Sequence, residues 1–189
     1  MRNQATGQVR IIAGKWRSRK LIFPATPGLR PTHDRIRETL FNWLMPDITG
    51  AVCLDLFSGS GALGFEALSR GAKHVTFVDN SPAVIDALKK NVAVLDAAPA
   101  SAIIQAACPD ALLKFKQAPF DIVFLDPPFY QDLVAVTADW LEQSGYLKRG
   151  ALIYVEMERN VPSLPTPPNW EVVKHKKTAT LFYGLFKKI

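Results

Sequence analysis

Val52-Cys53-Leu54-Asp55-Leu56-Phe57-Ser58-Gly59-Ser60-Gly61 reads as a buried strand running into a glycine turn. Four of the five residues from Val52 to Leu56 are apolar or Cys, the composition of a parallel strand covered on both faces. Ala62-Leu63-Gly64-Phe65-Glu66-Ala67-Leu68 follows as a helix with Leu63, Ala67 and Leu68 on one stripe. Two glycines between a strand and a helix let the backbone approach a ligand closely, and the first N–H groups of the helix point at it. The stretch outlines a cofactor cradle.

The spacing Gly59-x-Gly61-x-x-Gly64 matches a dinucleotide fingerprint, with Asp79 near the expected distance for a ribose-binding acid. Asp55 argues against NAD, because its negative charge at the strand end would face a pyrophosphate. S-adenosylmethionine has no phosphate and carries a cationic sulfonium and ammonium, which an acid at this point attracts. The residues favour the methyl donor; a solvated strand end or a helix cap is the plainer reading of Asp55.

Working outward, the chain of 189 residues with 48% hydrophobic content can bury one good core, so one domain with an appendage is expected. We divide it into an N-terminal basic hairpin and helix extension, 1–47, and a core, 48–189. No run of eighteen apolar residues occurs and the N-terminus lacks a signal-peptide apolar region, so a cytoplasmic protein without membrane contact is expected. Cys53 and Cys108 form no CxxC pair, and His33, His74 and His175 are scattered, which supports no disulfide framework and no metal. A monomer is expected.

Net charge is +6, and its placement is the more informative quantity. The first thirty residues hold Arg2, Arg10, Lys15, Arg17, Arg19, Lys20 and Arg30 and no acid, leaving 16 basic and 17 acidic groups over 31–189. Such a concentration suits a polyanion, with a merely solvated basic tail as the alternative. Gln8 to Phe23 reads as a hairpin with Gly14 in the turn and Arg17 and Arg19 alternating on one strand face. An isolated hairpin is marginal in water and must pack on something or become ordered on binding. A helix from Thr32, a plausible N-cap, to Met45 places Ile36, Leu40, Phe41 and Leu44 on one face, with Arg35 and Arg37 off it.

Beyond the cradle, His74–Asp79, Ala102–Ala106, Phe120–Leu125 and Ala151–Glu156 read as strands. Between them lie helices carrying Ile85, Leu88, Val92 and Leu95; Ala111, Leu112, Leu113 and Phe115; and Leu133, Val136, Trp140 and Leu141. The alternation predicts an α/β fold, a Rossmann-like, mostly parallel doubly wound sheet with ligands at the strands' carboxyl ends. Trp170–Lys176 and Ala179–Phe186 predict a terminal antiparallel hairpin.

Asp55, Asp79, Asp110 and Asp126 all fall at or just beyond the carboxyl ends of the first four core strands. Asp79 is placed to accept from ribose hydroxyls, while Asp110, beside the Ala111 N–H, serves equally well as a helix cap or an adenine contact. Asp126-Pro127-Pro128-Phe129 is the most specific signal. Two prolines stiffen the turn and leave carbonyl oxygens as acceptors. An exocyclic amine on a nucleobase needs such acceptors: bonds from its N–H groups to Asp126 and the Pro127 carbonyl draw the nitrogen towards tetrahedral geometry and free its lone pair. Phe129 can stack on the base. The alternative is a tight surface turn.

The sequence resembles the RsmD-type 16S rRNA (guanine-N2)-methyltransferases of bacteria through Arg10–Arg17, Gly28–Thr32, Arg37–Leu44, Asp55–Gly64, Asp126–Phe129 and Ala151–Glu156. The resemblance implies a class I methyltransferase core, S-adenosylmethionine as donor, no metal, and a guanine amine of 16S rRNA, within a small-subunit particle, as acceptor. It implies that Asp55, Phe57, Ser58, Gly59, Ser60, Gly61, Asp79, Asn80, Asp110 and Ala111 hold the donor. Asp126, Pro127, Pro128 and Phe129 would form the catalytic turn, and Arg10, Lys15, Arg17, Arg19, Lys20 and Arg30 would bind RNA. Ser58, where the family has alanine, and Pro109, before Asp110, depart from the pattern. Amino-methyltransferases with related turns act on adenine or glutamine, and the motif's physics does not separate these acceptors; an NAD-dependent oxidoreductase remains the reading from another class.

Overall fold

A computed structural model of the chain describes residues 6–25, 32–109, 119–129, 132–159 and 164–189. In chain order these form β1 (Thr6–Arg10), β2 (Lys20–Pro24), α1 (Asp34–Trp43), β3 (Val52–Leu56), α2 (Ala62–Ser69), β4 (His74–Asp79) and α3 (Pro82–Val94). There follow β5 (Ser101–Gln105), β6 (Phe120–Leu125), α4 (Leu133–Gln143), β7 (Leu147–Glu158), β8 (Trp170–Lys177) and β9 (Leu181–Lys188). The expected helix after Asp110 lies outside the described residues.

The strands from β3 onward join in one sheet of order β5-β4-β3-β6-β7-β9-β8. The first five are parallel, and β9 runs antiparallel between β7 and β8. The chain winds outward from β3 through β4 to β5, then returns to β6 on the other side of β3. That reversal opens a crevice at the carboxyl ends of β3 and β6, where doubly wound sheets bind ligands. Alternation along apolar strands feeds two cores. Cys53, Phe77, Phe124 and Tyr154 lie under α1, α2 and α3, while Leu54, Val123, Leu125 and Ile153 meet α4. The edge strand β8 is exposed along 171–177, and Lys174, Lys176, Lys177 and a register shift at Val172/Lys174 keep it from pairing with other chains.

Two helical faces differ from the sequence reading. On α4 the buried residues are Val134, Thr137, Ala138 and Leu141, and Val136 is exposed. Small side chains at 137 and 138 let the helix approach the sheet, so the stripe that looked largest is not the one that packs. On α1, Ile36, Leu40, Phe41 and Leu44 are buried as expected, but Arg37 is 0% exposed as well.

The reason lies in α2, which is buried all round rather than on one stripe. Its outer side is covered by the loop 11–19 that joins β1 to β2. Glu66, itself fully buried, accepts from Ile12 N (2.7 Å) and Ala13 N (3.0 Å), pairs with Arg70 Nε (2.7 Å) and faces Arg37 Nη1 at 3.6 Å. Arg37 also donates to the Arg10 carbonyl (2.8 Å) and to Asp34 (2.7 Å). The Ser69 hydroxyl donates to the Ala13 carbonyl and accepts from Trp16 N. Gly14 has φ +82°, and a Cβ there would overlap the Ser69 carbonyl. The β1-β2 hairpin, registered from Thr6↔Pro24 to Arg10↔Lys20, is fastened to α3 by Asn91, whose amide bonds both the N–H and the carbonyl of Ile22. Arg17 and Arg19 stand in the loop and not on a strand, because the pairing ends at Arg10↔Lys20. Val9, Trp16, Leu21 and Phe23 share one apolar cluster with Phe65 and Leu88. No helix among the described residues is long and apolar enough to cross a membrane.

Candidate active site

The carboxyl ends of β3, β4, β6 and β7 bring Asp55, Asp79, Asp126 and Glu156 to one sheet edge. After β3 the backbone turns sharply, with positive φ at Phe57 (58°), Gly59 (51°) and Gly61 (73°). A Cβ on Gly61 would come within 2.7 Å of Leu88 and Phe65, so glycine is needed there for space as well as conformation. Gly64, the third glycine of the pattern, serves packing: a Cβ would strike the Phe77 ring, and its N–H donates to Asp55 Oδ2 at 3.0 Å.

Asp55 is 2% exposed. Burial pushes its carboxyl well above the usual range, the Gly64 N–H works the other way, and Asp126 and Asp79 push it further up. Much of the loop's hydrogen bonding is turned inward. Gly59 N donates to Asp79 Oδ2 (2.9 Å), Gly61 N to the Ser58 carbonyl (2.7 Å) and Ser58 N to the Val78 carbonyl (2.9 Å). The Ser58 hydroxyl lies within bonding distance of the Asp55 and Val78 carbonyls and accepts from Val78 N, tying β3 to β4. Ser60 is buried, with its hydroxyl towards Ala62 N. Asp79 also accepts from Ser81 N at 2.9 Å and is half-buried; Asn80 beside it is exposed. A carboxylate has about four acceptor positions, so Asp79 retains capacity for hydroxyl donors. Asp110 and Ala111 lie outside the described residues, as does Arg30; the Cys108–Pro109 peptide before them is cis.

At the end of β6, Asp126 accepts a 2.8 Å hydrogen bond at Oδ2 from the Thr32 hydroxyl. Thr32 is therefore not the helix cap; His33 holds that position and Thr32 reaches the acid turn instead. Burial raises the Asp126 carboxyl to about 6, and the Thr32 hydroxyl pulls it down. Beside it Glu156, 4% exposed, accepts from the Tyr154 hydroxyl at 2.7 Å and is pushed up by burial and by Asp126. Pro127, Pro128, Phe129, Leu133, Glu156 and Met157 line one cleft. Phe129 is 36% exposed, in reach of a stacking partner. Because the Thr32 bond favours the ionised acid, Thr32→Val is expected to move the acid limb of kcat/KM to higher pH, and Thr32→Ser to restore it; a pH–rate series on the three proteins checks this.

The family described as conserved hypothetical protein 95 matches residues 9–187. The chain is 50% identical over 185 residues to ribosomal RNA small subunit methyltransferase D of Haemophilus influenzae, covering 97% of this chain and 95% of that protein. The chain belongs to the methyltransferase D family. A solved Escherichia coli structure with 47% identity superposes with a TM-score of 0.85, covering 96% of this chain and 98% of that one. The Thermus thermophilus 16S rRNA N2 G1207 methyltransferase, solved with AdoMet and guanosine, shares the fold at TM-score 0.73 and 19% identity, covering 98% of this chain and 50% of that one.

In this chain Arg10, Lys15, Arg17, Arg19 and Lys20 are all exposed. Arg19 bridges to the Val94 carbonyl (3.0 Å), and the Lys15 ammonium lies 5.3 Å from the Trp16 ring. The sequence reading missed Thr32, Glu66 and Glu156. Glu156 carried a usable signal in the sequence, because it is a fifth acid following an apolar, strand-like run, Ala151–Val155. Glu66 carried none, since a Glu in a helix ordinarily faces water.

Proposed function

We propose that the chain transfers a methyl group from S-adenosylmethionine to the exocyclic N2 amine of a guanine in 16S rRNA, within a small-subunit particle. The observation that carries this reading is the junction of Asp126-Pro127-Pro128-Phe129 with the buried acid Asp55 at the switch of strand order. The inward-turned loop supports a cationic donor over a dinucleotide. A pyrophosphate cradle needs free N–H groups, and those of Ser58, Gly59 and Gly61 are spent on protein acceptors. The mutual repulsion of Asp55, Asp79 and Asp126 is relieved by a sulfonium and an ammonium. The glycine turn and Asp79 would hold the donor, which supplies a methyl carbon on a positively charged sulfur.

Asp126 and the Pro127 carbonyl accept the two N–H groups of the amine, leaving its lone pair free to form the new N–C bond as the S–C bond breaks. Phe129 stacks on the base. The nitrogen sheds one proton, which Asp126 can take. Positioning supplies most of the acceleration.

Labelled donor should be offered with unmodified rRNA, small subunits and DNA, and the methylated nucleoside identified. Label in N2-methylguanosine supports the reading; N6-methyladenosine overturns it. Replacing Arg17 and Arg19 with Ala should reduce the steepness of log affinity against log salt by about 1.4 to 1.8 for two lost phosphate contacts. Donor affinity, measured by titration, should stay unchanged; an equal fall would end the separation of roles.

A further inference from the structure

We propose that Glu156 selects guanine over adenine by accepting the ring N1–H of the base whose amine Asp126 holds. This rests on the guanine-N2 reading above. Leu125↔Val155 is a paired register between parallel β6 and β7, so Asp126, which leaves β6 at that point, stands beside Glu156, which stays in β7 and pairs with Tyr183 of β9. Glu156 is 4% exposed yet lines the cleft formed by Pro127, Pro128 and Phe129. Tyr154, two residues earlier and so on the same face of the strand, donates to Oε2 and orients the carboxyl, which leaves Oε1 as its acceptor for a base held at Asp126.

Two adjacent acidic acceptors specify the edge they can meet. Guanine presents N1–H beside its N2 amine, two neighbouring donors. Adenine and cytosine present an amine beside a ring nitrogen lone pair. With the amine at Asp126, the neighbouring ring atom faces Glu156. There an N–H bonds the ionised carboxylate, the form that this donor and the Tyr154 hydroxyl together favour against burial, while a lone pair supplies no such donor and meets a carboxyl oxygen left unpaired. A like-charged neighbour is also a costly companion for Asp126 in a buried edge, a cost that donors on a ligand offset. Burial further keeps Glu156 away from competing water.

The test uses the full protein and RNA carrying either guanine or 2-aminopurine at the nucleotide that product analysis identifies. 2-Aminopurine keeps the amine and replaces N1–H by a lone pair. The wild-type protein should prefer guanine by about 5- to 150-fold in kcat/KM. Glu156→Gln, whose amide can present either oxygen or N–H, should shrink that preference to within about threefold while donor affinity is retained. Glu156→Met, of similar volume and apolar, provides a second variant that strands no buried charge and should shrink it likewise. Comparing ratios between variants cancels the intrinsic reactivity of the two bases. A folded variant that loses activity equally on both bases, keeping the wild-type preference, overturns the inference. N2-methylguanosine as product with that outcome leaves the proposed function standing; N6-methyladenosine as product overturns both.

Discussion

Asp126→Ala is expected to lower kcat by about 10²- to 10⁴-fold while S-adenosylmethionine affinity changes little. The amine loses the acceptor that draws its lone pair out of the ring, whereas Asp55, buried at the end of β3, remains to attract the donor. Asp126→Asn separates the two roles proposed for this acid. Its amide oxygen can still accept from the amine but can take neither charge nor proton, so if orientation dominates, kcat falls by no more than about tenfold. The pH profile then changes in a definite direction. In the wild-type protein the acid must be ionised, so activity rises as pH increases through about 6; in the Asn variant that limb disappears. Single-turnover rates from pH 5 to 8 decide the matter. Loss in Asn equal to that in Ala would mean that proton acceptance, and not orientation, is the larger contribution.

Glu66→Ala is expected to be among the most destabilising single changes, by about 3 to 5 kcal/mol. It removes the acceptor of Ile12 N and Ala13 N and leaves the buried Arg37 guanidinium with Asp34, itself largely exposed, as its carboxylate. For a chain of this size the melting temperature should fall by roughly 6 to 20 °C. Arg70→Ala should cost less, because Arg70 is the partly exposed partner of the same carboxylate. Thermal melts of both variants check the ranking, and equal shifts would deny Glu66 its central place. Loosening of the 11–19 loop in Glu66→Ala should also weaken binding of rRNA, the partner proposed for its Lys15, Arg17 and Arg19.

The parts that could be read from the sequence are those in which neighbours along the chain decide the outcome. Apolar runs of strand length, the Ser81-Pro82 helix start and the glycine turn placed β3, β4, α3, β6 and the strand-end acids closely. Misreadings arose where a distant partner overrides local preference. Arg37 looked solvent-facing because an isolated helix would point a guanidinium outward; the buried Glu66 of another helix turns that preference round. The face of α4 was misjudged because large apolar residues outweigh Thr137 and Ala138 in a periodicity count, while the sheet selects for close approach. Arg17 and Arg19 read as strand residues because nothing within the hairpin shows that Lys15 N and Trp16 N are held by Ser69. The basic extension was separable by charge, but its apolar side packs into the same cluster as α2 and α3.

By itself, then, the sequence determined the order of strands and helices, the tight turn after Leu56 and the acids at the ends of β3, β4 and β6, because periodicity, glycine and proline act over a few residues. Only the tertiary structure decided which of those acids lie beside one another and what else reaches them. Thr32 meets Asp126 across 94 residues and Ile12 meets Glu66 across 54, and Asp126 meets Glu156 through the pairing of two strands. Such contacts exist only once the sheet has closed, and no local pattern encodes them.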